Sequence, residues 1–445
     1  MVRAVFRPAV SLSSLSRRPL LATAVAVAGG VAACAGSGAK PVPVDHPVFP
    51  MGLALSPDGS RLLVGSSNFD FSFDSGAVLL ANVSIVRDEL LAGDDSGAVV
   101  ADPYVSSVLV PEFADRLVFD AAGNSALFTT RDGNLLHEVD VDGDEVSCGE
   151  LALCNASPNV LQLSGNDPFD VLVLSDDGVT LRGLVSHLGS PQAELFVLDR
   201  SSTDAGRLVL EAGEIDFLRD NINSTGVRST VERRAKNGVA ATIFAAVERR
   251  ENGTLVGADV VHFATPAAGH AGTETFVRQD ITTLLGPRSV RDMAIVADDV
   301  SGGDALVVLL QNPDGVARFA IDNVDDHLTL TALENTCIQP LSLAVAPLDL
   351  DGDAVVDVTR LIVACHGSNE VVALDPLTLR TTAVSRFFGR GPYDVVVDAA
   401  HQVAWVSFFL DNSVGAFSLV KDGVPRLAPI GRLGAALPRP EDGRE

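Results

Sequence analysis

The densest chemistry in the chain lies between residues 349 and 357. Asp349, Asp351, Asp353 and Asp357 stand at positions 1, 3, 5 and 9 of the run Asp-Leu-Asp-Gly-Asp-Ala-Val-Val-Asp. Calcium takes about six to eight oxygen ligands at roughly 2.3–2.6 Å. A tight loop with alternate residues facing inward presents carboxylates at 1, 3 and 5. Gly352 permits the sharp turn, and Asp357 closes the set. Four carboxylates this close repel one another unless a cation joins them. The spacing therefore predicts a structural calcium site, the plainer alternative being an acidic, solvated hairpin turn. Position 12, where an EF-hand needs Glu, is Arg360. A shorter relative, Asp140-Val-Asp-Gly-Asp-Glu145, lacks the closing Asp.

Other constellations are thin. The eight His form no His-x-x-x-His pair, and no Gly-x-Ser-x-Gly elbow or phosphate loop occurs. Cys148, Cys154, Cys337 and Cys365 are an even set in a chain that reads as exported, which predicts disulfides. Three pairings exist. The local one, Cys148–Cys154 with Cys337–Cys365, is favoured over the others and over zinc, since no Cys-x-x-Cys is present. Val231-Glu-Arg-Arg234 and Val247-Glu-Arg-Arg250 echo each other. They read as solvated hairpin ends, with a docking patch for an acidic partner or glycan as the alternative. Trp405 and Tyr393 read as core.

The elements that must position these groups are strands. Short Val- and Leu-rich runs bounded by Gly, Asp and Asn recur, and no long stretch has 3.6-residue periodicity. A strand–turn–strand unit starts near residues 52, 115, 170, 227, 292, 341 and 394. The fourth copy is the least clear, with Asn237-Gly238 as its turn. The spacing suits a four-stranded propeller blade, whose two apolar faces are buried only between neighbours. The expected fold is all-β, a seven-bladed β-propeller of four-stranded antiparallel blades over residues 49–434. Its last outer strand comes either from Pro425–Ile430 or from the N-terminal stretch Val42–Val48.

Aligning the copies puts Asp115, Asp170, Asp292 and Asp394 at the start of the innermost strands, where they would ring one mouth of the channel. As a functional set they would hold a metal or cationic ligand. As a structural set, the favoured reading, each binds backbone amides and sets blade spacing.

Ser56-Pro-Asp-Gly59, Gly367-Ser-Asn-Glu-Val371, Leu374-Asp-Pro-Leu-Thr378 and Asp411-Asn-Ser-Val414 resemble YVTN-type repeats of lactonase-like seven-bladed propellers from exported bacterial proteins. The likeness is good over copies one, six and seven. That family includes binding proteins and some lactone hydrolases, so the resemblance implies a fold more than a chemistry. The Asp349 loop resembles the calcium loops of FG-GAP repeats, which are also propeller blades.

The first 33 residues hold Arg3, Arg7, Arg17 and Arg18, no acid, and an apolar run from Leu20 to Ala28. This is the layout of an export signal, and the run is shorter than the roughly 20 residues of a membrane anchor. Val31-Ala-Ala-Cys34 resembles a bacterial lipobox, which implies lipidation at Cys34 and, with no Asp following, an outer-membrane destination. Ser16-Arg-Arg-Pro-Leu-Leu21 is similar to a twin-arginine signal. Residues 34–48 read as a flexible Gly/Pro tether and 435–445 as a disordered tail. Without residues 1–33 the chain carries 28 basic and 58 acidic side chains. That balance excludes a nucleic-acid binder.

With no catalytic constellation in view, the sequence points to a monomeric, non-catalytic binding or scaffold protein at the cell envelope. Its partner would be a protein or an envelope polymer, and its contact with the membrane would be through the lipid alone. The alternative is a lactonase-like hydrolase with a metal at the channel mouth.

Overall fold

The apolar runs pair into seven sheets whose strands run from the channel outward in sequence order, except for one short segment within the stretch of the first blade that joins the last. The structure, a computed structural model, describes residues 40–92, 98–149, 153–155, 158–203, 207–218, 224–235, 240–252, 254–269, 272–286, 288–298 and 302–434. The export signal, Cys34, the tail 435–445 and the Asn237-Gly238 turn lie outside the described residues.

The fold is a seven-bladed β-propeller of mostly antiparallel, four-stranded blades. The innermost strands are Pro50–Leu55, Ala114–Phe119, Pro168–Asp176, Gly226–Arg233, Ser289–Asp298, Pro340–Leu348 and Pro392–Asp398. Each begins within three residues of the start expected from sequence. Blade four, the least regular in sequence, is complete: Gly226–Arg233, Thr242–Glu251, Thr254–Ala264 and Val277–Asp280. Blade two departs from the pattern. Its outer strand is split into Glu145–Ser147 and Val160–Gln162, both paired with Leu135–Asp142.

The core lies between blades rather than under any one of them. Phe244, Val260, Leu306, Val308 and Phe319 pack blade four on blade five. Val363, Val372 and Leu374 of blade six pack on Val307 and Leu309 of blade five. Each such side chain contributes about 1.5–3 kcal/mol on burial, so a blade alone is not a stable unit.

Among the described residues, the ring closes without an outer strand from Val42–Val48. Blade seven takes its fourth strand from Val424–Leu433, and a fifth, Ala98–Val100, is lent by blade one and runs parallel to it. The helix Val83–Ala92 precedes that lent strand, and its buried Arg87 pairs with Asp398 of blade seven (Nη1–Oδ2 3.0 Å). From Lys40 onward, the stretch expected as a tether runs along blade one. Val42 is buried against Ala77 and Leu79, and the Val48 amide donates to Ser66 Oγ at 2.7 Å.

Both disulfides are the local ones, Cys148–Cys154 and Cys337–Cys365. The first staples the excursion between the two halves of blade two's outer strand, and the Cys154 amide donates to Leu109 O of blade one. The second ties the link from blade five to the end of blade six's second strand. Among the described residues, no helix is long and apolar enough to cross a membrane.

Candidate functional site: the channel mouth

Every innermost strand carries a β-bulge near its first residues. A bulge inserts one unpaired residue and re-aims its side chain. Here the extra residues are Met51, Asp115, Phe169, Arg228, Arg291, Leu341 and Tyr393, and they line the mouth. The next residue in each blade forms a second set beside the first. That second set is Gly52, Arg116, Asp170, Ser229, Asp292, Ser342 and Asp394.

This registration corrects the sequence alignment by one residue in blade two. Ala114 pairs with Thr130 and Leu117 with Phe128, so Arg116, and not Asp115, is the counterpart of Asp170, Asp292 and Asp394. Asp115 stands in the bulge column beside Tyr393.

Three aspartates of the second set fasten adjacent blades. Asp170 Oδ2 accepts the Thr230 amide at 2.8 Å, Asp292 Oδ2 accepts Leu343 N at 2.9 Å, and Asp394 Oδ2 accepts Leu53 N at 2.9 Å. Each bond crosses to the next blade, from three to four, five to six, and seven to one. Ser342 Oγ donates back to Asp394 Oδ1 at 2.7 Å, and Ser229 Oγ to Asp292 Oδ1 at 3.3 Å. In blade one the place must be glycine, since a Cβ on Gly52 would sit 2.3 Å from the Asp115 carbonyl oxygen.

Arg116 enters the centre of this set. Its guanidinium lies 2.8 Å from Asp292 Oδ2 and 3.8 Å from Asp170 Oδ1. Burial pushes the Asp170 and Asp394 carboxyls up from the usual range, and the Arg116 charge is the largest influence holding them down. The cation that these carboxylates attract is therefore supplied by the chain itself. Among the described residues they form no cluster able to share an ion.

Asp115 is fully buried and takes Arg131 through one oxygen, at 3.0 Å from Nε and 2.7 Å from Nη2, while Oδ1 has no partner among the described residues. Burial raises its pKa to about 6 despite Arg131. Phe169 has the guanidiniums of Arg131, Arg228 and Arg116 at 5.1, 5.5 and 6.0 Å from its ring centroid, within reach of cation–π attraction. Tyr393 stacks on Phe409 at 5.6 Å, so it belongs to the mouth and not, as expected from sequence, to the core. Trp405 is fully buried.

With these side chains in place the mouth holds a cavity of about 50 Å³, room for a water or two. Small-molecule sites run to about 300–1,000 Å³. A roomier cavity of about 620 Å³ lies at the far end, against blades two to four. Its acids are engaged: Arg200 holds Asp176 at 2.7 Å and Asp120 at 2.9 Å, and Thr265 donates to Glu232 at 2.9 Å. What remains there is mostly aliphatic wall.

The two Glu-Arg-Arg echoes stand at hairpin ends and are solvated only in part: Arg234 and Arg250 are exposed. Arg233 is buried against Asp326 at the far end, and Glu248 is buried at the mouth end, where it accepts from Ser289 and pairs with Arg228 and Arg250.

The Asp349 loop fits a hard cation. Ligand atoms of Asp349, Asp351 and Asp353 lie within 4.8 Å of one another. The loop is pre-shaped: Asp349 accepts the amides of Gly352 (2.7 Å) and Ala354 (2.8 Å), and Asp357 accepts that of Leu350 at 2.7 Å. Asp357 thus braces the loop from within instead of joining the three. Neighbouring carboxylates raise the Asp351 pKa although the backbone amide of Asp353 lowers it. The shorter Asp140 run does not converge, since Asp140 pairs with Arg207 and Asp144 with Asn82.

Sequence reasoning missed Arg116, Phe169, Arg228 and Arg291. They sit in or beside the bulge column, and a repeat alignment anchored on Asp hid a column in which only Arg, at 228 and 291, occurs twice.

No protein-family model and no curated protein sequence matches this chain. Solved structures match in fold. The periplasmic gluconolactonase of Pseudomonas aeruginosa is 15% identical, with a TM-score of 0.51 over 76% of this chain and 84% of that one. A putative 6-phosphogluconolactonase from Bacteroides uniformis is 16% identical, with a TM-score of 0.52 over 77% and 87%. A Kuenenia stuttgartiensis hydrazine synthase chain is 14% identical, with a TM-score of 0.54 over 85% and 97%. At these identities the likeness is one of fold.

Proposed function

We propose that this chain is an exported, lipid-anchored propeller at the cell envelope that binds a partner across its channel mouth and carries out no catalysis there. The observation that carries this reading is the state of the mouth. The space is about 50 Å³, and the carboxylates beneath it are spent on backbone amides and Arg116. Two disulfides fit an oxidising compartment, and the lipobox-like Val31–Cys34 with the export layout before it supports the anchor. Calcium at Asp349, Asp351 and Asp353 would brace blade six and supply no chemistry at the mouth.

A lactone hydrolase is the competing reading. In its favour stands Asp115, a mouth-lining carboxyl with a pKa near 6, within the range of a general acid or base. Against it stand the hold of Arg131, through two nitrogens, on one oxygen of that carboxyl and the lack of room for a sugar ring. Gluconolactone hydrolysis by the full chain, with and without added calcium or zinc, tests the choice. The binding reading expects no rate above buffer. A rate abolished by Asp115→Asn would replace it with the hydrolase.

A further inference from the structure

Arg228 and Arg291 stand side by side at the mouth, in the bulge column of blades four and five. Arg291 donates its Nε to Gln311 Oε1 at 2.5 Å, and Arg228 Nε lies 3.3 Å from Glu248 Oε1. Their terminal guanidinium nitrogens have no hydrogen-bond partner among the described residues. Glu248, the carboxylate nearest to both, is also taken by Arg250 and Ser289. The pair is thus under-neutralised on a chain of net charge −26, and both guanidiniums line the mouth cavity.

Across the mouth lies a run of aromatic rings. Tyr393 meets Phe409 at 5.6 Å, Phe409 meets Phe69 at 5.2 Å, Phe69 meets Phe113 at 6.0 Å, and Phe113 meets Phe71 at 5.4 Å. The run emerges at the surface: Phe69 is 51% exposed and Phe71 62%. Phe71 and Phe113 hold φ of 56° and 60°, the left-handed region that bulky residues avoid and that functional sites retain. Aromatic residues and arginines are the residue types enriched in interface hot spots.

We infer that the mouth takes a protein partner which inserts one Asp or Glu side chain between Arg228 and Arg291 and lays apolar side chains on Phe69 and Phe71. This rests on the binding reading above. Charge complementarity selects a carboxylate, since a guanidinium fork matches it bidentately. The cavity of about 50 Å³ admits a carboxylate head and not a sugar ring, which favours a peptide side chain over a uronate polymer. The acidity must be local to the inserted residue, because a broadly acidic partner would be repelled by the rest of the chain.

The test is selection of displayed random peptides on the full chain. The expected result is enrichment of peptides with a single Asp or Glu flanked by apolar residues. Synthetic copies should lose at least about tenfold in affinity when that acid becomes its amide. They should lose as much against the Arg228→Gln/Arg291→Gln double variant, and should weaken with rising salt. The amide arm leaves the protein unaltered and so does not depend on the variant folding. Enriched peptides that lack an acid, or that bind the double variant equally, overturn this assignment and leave the binding reading standing. So does tri-galacturonate binding that depends on both arginines. Absence of any enriched peptide overturns the assignment, and with lactone hydrolysis it overturns the binding reading as well.

Discussion

Asp394 Oδ2 accepts the backbone amide of Leu53 at 2.9 Å, and with that bond the last blade holds the first. The same bond, repeated by Asp170 and Asp292, links other blade pairs near the mouth. Removing one partner leaves a buried donor unmade. Asp394→Ala should cost about 2–4 kcal/mol, because both Leu53 N and Ser342 Oγ lose their acceptor. Urea unfolding measures it; a cost below about 0.5 kcal/mol contradicts the fastening role.

Arg116→Met should destabilise the chain by about 3–5 kcal/mol at neutral pH, since it strands buried carboxylates without their counter-charge. The deficit should shrink on acidification, as Asp170 and Asp394, already raised by burial, take up protons. A deficit independent of pH would mean that Arg116 acts through packing alone.

The Asp115 carboxyl titrates near 6 in the folded chain and near 3.9 when unfolded. A raised acid binds its proton more tightly in the native state. Its contribution is therefore fully present below about pH 4 and is lost as pH rises through about 6. Asp115→Asn should remove up to about 1.4 kcal/mol per pH unit from the slope of stability against pH in that window. Urea midpoints across the window read the slope, and an unchanged slope refutes the assignment.

Calcium should raise the melting temperature of the full chain, with about 2–3 kcal/mol of stabilisation at a hundredfold excess over Kd. Asp351→Asn should abolish the rise without lowering the calcium-free melting temperature, since Asp351 accepts only the exposed Asp353 amide. A rise that survives the substitution places the ion elsewhere.

The Arg87–Asp398 pair joins the helix of blade one to blade seven while buried on both sides. Arg87→Ala should cost about 3–5 kcal/mol and should accelerate amide exchange selectively in Ala98–Val100 and Val424–Leu433. Uniform acceleration around the ring would contradict a local clamp.

The repeat was legible because each blade must bury two apolar faces, which forces Val/Leu runs at recurring spacing and turn residues between them. That sufficed to place all seven innermost strands to within three residues. The closure was not legible. Ala98–Val100 is a short segment of an insertion, and its pairing with Val424–Leu433 depends on a contact more than 300 residues away in sequence. The convergence of Asp349, Asp351 and Asp353 could be read because the three lie within five residues of one another. The mouth was read in part. Asp170, Asp292 and Asp394 recur because a backbone amide needs the same acceptor in each blade. The bulge column carries Met51, Phe169, Arg228, Arg291 and Tyr393 with little repetition, because those side chains face the channel and not a repeated neighbour. A one-residue bulge also moved Asp115 out of the column to which an alignment by residue type assigned it.

The account rests on the mouth carboxylates being fasteners neutralised by Arg116 and not ligands of a metal. Anomalous diffraction from crystals of the full chain equilibrated with manganese as a stand-in for calcium tests this most directly. The account predicts a peak among Asp349, Asp351 and Asp353 and none in the channel; a peak ligated by Asp170, Asp292 or Asp394 would contradict it.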